Sequence, residues 1–202
     1  MSRHSDSIRL LLGKGPMTAR QLVEKTGISQ PTISRALAAL GDEVVRIGSG
    51  SAIRYALRDT TRGFVSAPVF RISDEGQIRE FGTLVPVRPN GFVMMQADGV
   101  TLHSDGLPWW LFDMRPQGYL GLAYASTYAA ALGLPANPEH WGDNEVIRAL
   151  LVHGHDAIGN LLIGELARDR FIGMPMPSPV DRAADYPALA RAAALGEVPG
   201  SS

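Results

Sequence analysis

The chain contains no cysteine, which excludes disulfides, thiolate metal sites and a cysteine nucleophile. No apolar run approaches the roughly 18 residues that a membrane-spanning helix needs, and the opening MSRHSDSIRL lacks the apolar stretch of a secretory signal. The expected compartment is therefore the cytoplasm, with no membrane partner. Lysine is nearly missing: Lys14 and Lys25 are the two in the chain, and residues 63–202 hold none. There is no Gly-x-Ser-x-Gly elbow and no Gly-x-x-x-x-Gly-Lys-Ser/Thr loop, so neither an activated serine nor a Walker-type phosphate cradle is expected. Only three tryptophans occur, two of them adjacent at Trp109-Trp110.

What is present describes a globular chain. Hydrophobic residues make up 45% and charged residues 19% of the 202 residues, enough apolar surface to close a core. The net charge of −1 conceals a split. Residues 1–62 carry ten Lys+Arg against five Asp+Glu, and residues 63–202 carry nine against fifteen. A small basic end joined to a larger acidic one directs an anionic partner, nucleic acid first, to the front third.

That third reads as helix, helix, helix, hairpin. Ile8, Leu11 and Leu12 have helical spacing before Gly13, Gly15 and Pro16. In MTARQLVEKTG, Thr18 is placed to cap a second helix, Leu22 and Val23 face inward and Gly27 follows as the turn. In ISQPTISRALAALGD, Ser29 is placed as cap and Pro31 suits the first turn. Ile33, Ala36, Leu37 and Leu40 form the apolar stripe. This leaves Gln30, Thr32, Ser34 and Arg35 outward near the start of the helix, all residue types that read base edges. VVRIGSGSAIRYAL alternates on both sides of Gly-Ser-Gly-Ser, as a hairpin does.

Residues 5–58 thereby resemble the winged helix-turn-helix domains of bacterial transcriptional regulators, with GISQPTISRAL close to their recognition-helix pattern. The resemblance implies double-stranded DNA as partner. The helix from Ser29 to Leu40 would enter the major groove, and Arg46 and Arg54 would flank a wing, with Ser49 and Ser51 in its loop, that touches phosphate or the minor groove. The alternative reading is a winged helix that serves protein contact alone.

From Phe64 the pattern changes to strands: PVFRIS, IREFGTLVPV and GFVMMQ, separated by DEGQ and RPNG. A helix is expected over Tyr119 to Leu134 and another over Asp143 to His153, with Asp143 as its cap and Val146, Ile147, Leu150 and Leu151 inside. GNLLIGEL reads as a returning strand, MPMPSP (174–179) as an extended connector, and ADYPALARAAALGEVPGSS as a short helix trailing into Gly and Ser. The fold class expected is α+β, divided as a winged helix-turn-helix (1–62), a β-rich domain with packed helices (63–172) and a Pro-rich connector with a short helix (173–202).

Four features of the larger part occur in a fixed order: Leu107-Pro108, Trp109-Trp110, Met114-Arg115-Pro116-Gln117-Gly118, and the turn formed by Gly154, Asp156, Gly159 and Leu161. In this order they resemble the N-terminal subdomain of the HipA family, the serine/threonine kinase toxins of bacterial toxin–antitoxin modules. With a winged helix in front, the chain is most similar to the YjjJ-type subgroup. Phosphoryl transfer requires phosphate-positioning groups, a lysine, a catalytic Asp and a metal-holding Asn or Asp. Residues 63–202 offer no lysine and no His-x-Asp-x-x-x-x-Asn pattern, so the sequence resembles the non-catalytic front of that family and is not expected to be an enzyme. No cofactor is expected.

The resemblance implies three roles: a DNA-binding regulator of a toxin–antitoxin module, a separate front subdomain that docks on and restrains a HipA-type kinase, or a fragment of a longer kinase toxin. For docking, Trp109, Trp110 and Arg115 are the candidate residues. One tryptophan is expected to be largely buried and the other partly exposed, because neighbours on a helix point about 100° apart. A homodimer matched to a palindromic site remains open, although no heptad is visible. His140, His153 and His155 are read as capping or surface residues rather than a metal site, and Asp98, Asp105 and Asp113 as turn residues. Met94-Met95 is expected in a core strand.

Overall fold

A computed structural model describes residues 3–175 and 185–195. Most of MPMPSP and all of GEVPGSS lie outside the described residues. The first unit contains α1 (Arg3–Leu12), β1 (Met17–Thr18), α2 (Ala19–Thr26), α3 (Gln30–Leu40), β2 (Val44–Ile47) and β3 (Arg54–Leu57). Its small sheet has the order β1-β3-β2. The three helices close over Ile8, Leu12, Leu22, Ile33, Leu37, Leu40 and Leu57, the periodic apolar positions of the sequence.

Local chemistry sets the helix ends. Thr18 and Gln21 form a reciprocal capping box, each side chain bonding the other's backbone N–H. Gly27 ends α2 in the left-handed region at φ 69°, where an L side chain would be strained. Ser29 occupies the cap position of α3, but its hydroxyl does not bond the helix backbone. It lies 3.1 Å from the Thr32 hydroxyl instead.

The second unit is a five-stranded antiparallel sheet, order β7-β6-β5-β4-β8, built from β4 (Ala67–Ile72), β5 (Ile78–Val87), β6 (Gly91–Gln96), β7 (Thr101–Ser104) and β8 (Leu161–Ile163). On one face pack α4 (Gly118–Leu132), α5 (Asp143–His153) and a 3-10 segment, Trp109–Met114. α6 (Glu165–Gly173) follows β8, and α7 (Tyr186–Leu195) matches the short helix expected near the end. This is the α+β class the sequence indicates. Gly82 sits where β4 shifts register between Val69 and Phe70. A Cβ there would clash with the Met95 carbonyl oxygen, so only glycine lets β5 and β6 close on each other.

Leu84, Phe92 and Met94 face the helices, while Val85, Val87 and Val93 face the opposite side. There they meet Val45, Ile47 and Ala56 of the small sheet. Both faces of β5 and β6 are thus buried at their centre, which explains why GTLVPV and GFVMM read as continuous apolar runs rather than alternating ones. Met94 is core, but Met95 is exposed on the other side of the pleat.

Three expectations need correction. The cap of α5 is Gly142, not Asp143; the Asp143 carboxylate is engaged elsewhere, accepting from the Leu107 N–H at 2.9 Å. GNLLIGEL is strand only over Leu161–Ile163, because Gly164 takes φ 87° and α6 starts at Glu165. Neither member of Trp109-Trp110 is largely buried: Trp109 is 73% exposed and Trp110 is half-buried against the core. The tryptophan that anchors the core is Trp141, 1% exposed, its Nε1 donating to the Pro135 carbonyl at 2.7 Å.

Candidate nucleic-acid interface

α3 buries Ile33, Ala36, Leu37 and Leu40, so its other residues turn outward in two rows a helical turn deep. Gln30 and Ser34 form one row, Pro31 and Arg35 the next, and all four are exposed. Thr32 lies at the edge, half-buried. Its hydroxyl links Ser29 (3.1 Å) to the Arg35 guanidinium (Nη2, 3.3 Å), while Arg35 Nε donates to the Pro31 carbonyl at 3.3 Å. These contacts orient Arg35 along the helix without neutralising it. A cation held by hydroxyl and carbonyl oxygens keeps its full charge for an external acceptor.

Elsewhere in this unit the acidic residues are largely spent on internal pairs. Arg9 bonds both Asp6 and Glu43, Arg20 bonds Glu24 and Arg62 bonds Asp59. The hydrogen bonds from Arg9 hold the Glu43 carboxyl below its ordinary range. Among the described residues, Lys14, Lys25, Arg35, Arg46, Arg54 and Arg58 of this unit make no ion pair, and the basic excess resides on these, of which Lys25, Arg35, Arg46 and Arg54 lie outside the groove beside α1.

The hairpin separates its two arginines. Arg46 pairs with Tyr55 and Arg54 with Ile47, and neighbouring residues on a strand point to opposite faces. Arg46 shares its face with Val44, Tyr55 and Leu57, which join the helical core, whereas Arg54 shares its face with Val45, Ile47 and Ala56, which pack on the larger sheet. Arg46, Ser49 and Arg54 are all exposed; the Ser51 side chain lies outside the described residues. The sequence-predicted residues of α3 are brought together, and the two wing arginines are not.

The wing is braced from behind. Its loop N–H at Gly48 donates to the Thr101 hydroxyl at 2.6 Å. At its base, Arg58 N–H donates to Glu43 C=O, Asp59 N–H to Pro86 C=O and Arg88 N–H to Leu57 C=O, at 2.8, 2.9 and 2.8 Å. Beside these bonds lies a buried ion pair, Arg62 Nε to Asp59 Oδ2 at 3.1 Å, with side chains 5% and 8% exposed. Arg62 also donates to the Val87 and Pro89 carbonyls and lies 4.8 Å over the Phe92 ring. Burial pushes the Asp59 carboxyl up, but hydrogen bonds from Thr61 and Arg62 and the Arg62 charge hold it below its ordinary value. None of this joint was foreseen from the sequence. Its one readable signal was Arg-Asp-Thr-Thr-Arg at 58–62, an acid at i and i+3 spacing from a base just after a strand.

A histidine sits in the same region. His103 pairs with Val93 and so faces the wing; its side chain is 6% exposed and its Nε2, 3.6 Å from the Asp105 carboxylate, is buried without a hydrogen bond. Burial lowers its pKa, with Asp105 opposing and the Arg54 charge adding to the shift.

The candidate docking residues have different surroundings. Trp109 projects from the 3-10 segment, near Phe112, which is also exposed. Arg115 is committed internally: it donates to the Trp141 carbonyl and to Asp143 Oδ1 at 3.3 Å, tying the segment to the start of α5. His153 stacks on Tyr128 (3.9 Å between centroids) and contacts Arg170, and Tyr128 donates to Asp156 at 3.0 Å. Burial and that bond push the Tyr128 hydroxyl up to about 12. Burial first, then Arg170, lowers the pKa of His153 and burial lowers that of His155. Among the described residues no three His, Asp or Glu converge as a metal site, and no helix is long and apolar enough to cross a membrane.

Two family models match the chain. Residues 64–172 match the model of the YjjJ-like toxin middle domain, and residues 8–43 match bacterial regulatory proteins of the arsR family. Over 196 residues the chain is 39% identical to Toxin YjjJ of Escherichia coli strain K12, a match that takes in 95% of this chain and 44% of that protein. The chain therefore spans less than half the length of this curated relative. No solved structure matches the chain.

Proposed function

The chain belongs to the family of YjjJ-like toxins, and we propose that it acts by binding, as a DNA-reading regulator of a HipA-type toxin–antitoxin module. The observation that carries this reading is the outer face of α3: Gln30, Ser34 and Arg35 stand together, and Arg35 is oriented by Thr32 and Pro31 without an acidic partner. In the major groove an arginine donates two bonds to guanine and a glutamine pairs with adenine, while Lys25 and Arg46 lie on the same unit to meet phosphates. Ser29 and Thr32 serve as positioning residues for Arg35. Ser49, Ser51 and Arg54 contribute from the wing. Binding rather than catalysis also accords with the lack of lysine over residues 63–202.

The unit is divided, in this proposal, at the Asp59–Arg62 joint: residues 1–62 read DNA and residues 63–172 present a second surface. The test is an electrophoretic shift with the DNA upstream of the chain's own gene. Specific binding that weakens steeply with salt supports the reading; no salt-dependent binding to that DNA or to random duplex overturns it.

A second reading, docking on a separately encoded HipA-type kinase, is favoured by one observation. Trp109, Phe112, Tyr119, Leu120, Leu122 and Ile158 are all exposed, and residues 118–134 contain no charged residue. A helix apolar on all sides is ordinarily covered. Trp109 would then be the anchor, Trp110 its half-buried support, and Arg115 the positioning residue that fixes the segment. Co-purification with such a kinase that Trp109→Ala abolishes would support docking, and unchanged co-purification would remove Trp109 from the role.

A further inference from the structure

One groove is lined by none of the outward residues of α3. It has a volume of about 1230 Å³ and runs between α1 and the start of the larger unit, floored by Leu57 and Arg58. Ligand sites concentrate at such junctions and combine an apolar wall with a few polar groups. Two of its wall residues, Leu10 and Val65, are 70% and 53% exposed, although each would lose exposure if the groove were filled.

The charges along it are unequally engaged. Asp6 and Glu43 both bond Arg9, whose single charge offsets one of the two. Lys14 makes no ion pair among the described residues, and Arg88 reaches an acid only at 3.8 Å, Asp59 Oδ1. Arg58 is the most telling: its Nε is buried and has no hydrogen-bond partner. An unpaired buried guanidinium N–H is costly and is rare without an acceptor supplied from outside the chain. Asp42 is the one acid of the groove with no ion pair among the described residues, and with the four bases Arg9, Lys14, Arg58 and Arg88 against the three acids Asp6, Asp42 and Glu43 the lining is positive by one charge.

We propose that this groove binds a small amphipathic anion, a molecule with an apolar body and a carboxylate, sulfonate or phosphate head. The head accepts from Arg58, with Lys14 and Arg88 completing its charge, and the body lies on Leu10, Leu57 and Val65. Because the floor lies at the strand-end bonds, Arg58 N–H to Glu43 C=O within the first unit and Arg88 N–H to Leu57 C=O between the two units, an occupant would sit against the brace of the wing. The site stands or falls independently of whether the winged helix binds DNA.

The test uses the full chain and anilinonaphthalene sulfonate, a fluorescent amphipathic anion, followed by displacement with decanoate and with decyltrimethylammonium, which has the same chain and the opposite charge. Saturable fluorescence is expected, displaced by decanoate and not by the cation. Arg58→Gln is expected to weaken binding about tenfold, and Leu10→Glu, at an exposed position that tolerates the change, to abolish it. Ile172→Glu, at an exposed apolar position on α6 away from the groove, is the control and should bind as the parent does. Native circular dichroism in each variant keeps the comparison valid. Equal binding by the parent, Arg58→Gln and Leu10→Glu would overturn the proposal, as would loss of binding in Ile172→Glu alone or equal displacement by the cation.

Discussion

Arg46 and Arg54 stand on opposite faces of one hairpin, Arg46 opposite Tyr55 and Arg54 opposite Ile47. The face of Arg46 continues into the helical core, and the face of Arg54 continues into the joint with the larger sheet. If α3 lies in the major groove, the two arginines cannot make equivalent contacts. Arg46→Ala is expected to weaken binding to all sequences alike and to reduce the salt slope by about 1. Arg54→Ala should change it less. Anisotropy titrations of both variants over a range of salt check the order, and a larger loss for Arg54→Ala would reverse the assignment of faces.

The Asp59–Arg62 pair is buried on both sides, so removing one partner strands the other. Arg62→Met should destabilise the protein by about 3–5 kcal/mol, at the lower end because Thr61 continues to bond Asp59 at 2.6 Å. Urea denaturation measures it. The double variant Arg62→Met with Asp59→Asn should recover part of the loss, since no uncompensated charge remains.

The tryptophans should differ sharply. Trp141→Ala opens a cavity in the core and leaves the Pro135 carbonyl without its donor, a loss of about 3–5 kcal/mol. Trp109→Ala removes a side chain that is mostly in solvent, and its cost should stay within about 0.5 kcal/mol. Thermal unfolding of the two variants separates them.

Acid should loosen the protein before carboxylates titrate. His103, His153 and His155 all have pKa values lowered in the fold, in each case chiefly by burial. The unfolded chain binds protons at the ordinary histidine value of 6.5, the folded chain only below it. Between those values the unfolded state holds more protons, so stability falls as pH drops through about 6.5. The melting temperature should be level above neutrality and decline below that point. His103→Gln should flatten part of the decline, and an unchanged slope would show that the wing joint does not carry it.

The sequence made the helices legible wherever an apolar stripe met a cap or a stop, as with Thr18 and Gly27 around α2 or Gly133 after α4. It made β4, β5 and β6 legible through their turns. It was misleading where a side chain had two uses: Asp143 has the chemistry of a cap yet clamps Leu107 and Arg115 from the neighbouring segment. Gly-Asn-Leu-Leu-Ile-Gly looked like a longer strand because Gly164, which ends it, also begins α6. On α3 the outward residues could be placed from periodicity alone. The division of Arg46 from Arg54 could not, because it depends on the register of β2 against β3, and the brace beneath the wing depends on contacts between residues some 25 to 53 positions apart.

In the proposed role Arg35 reads a base from the outer face of α3. The most direct measurement is the affinity of the parent chain and of Arg35→Ala for the DNA upstream of its gene and for random duplex, at one salt concentration. Arg35→Ala should lose about 1–3 kcal/mol on the upstream DNA and much less on random duplex, so that discrimination shrinks. Equal losses on both DNAs, or none on either, would contradict it.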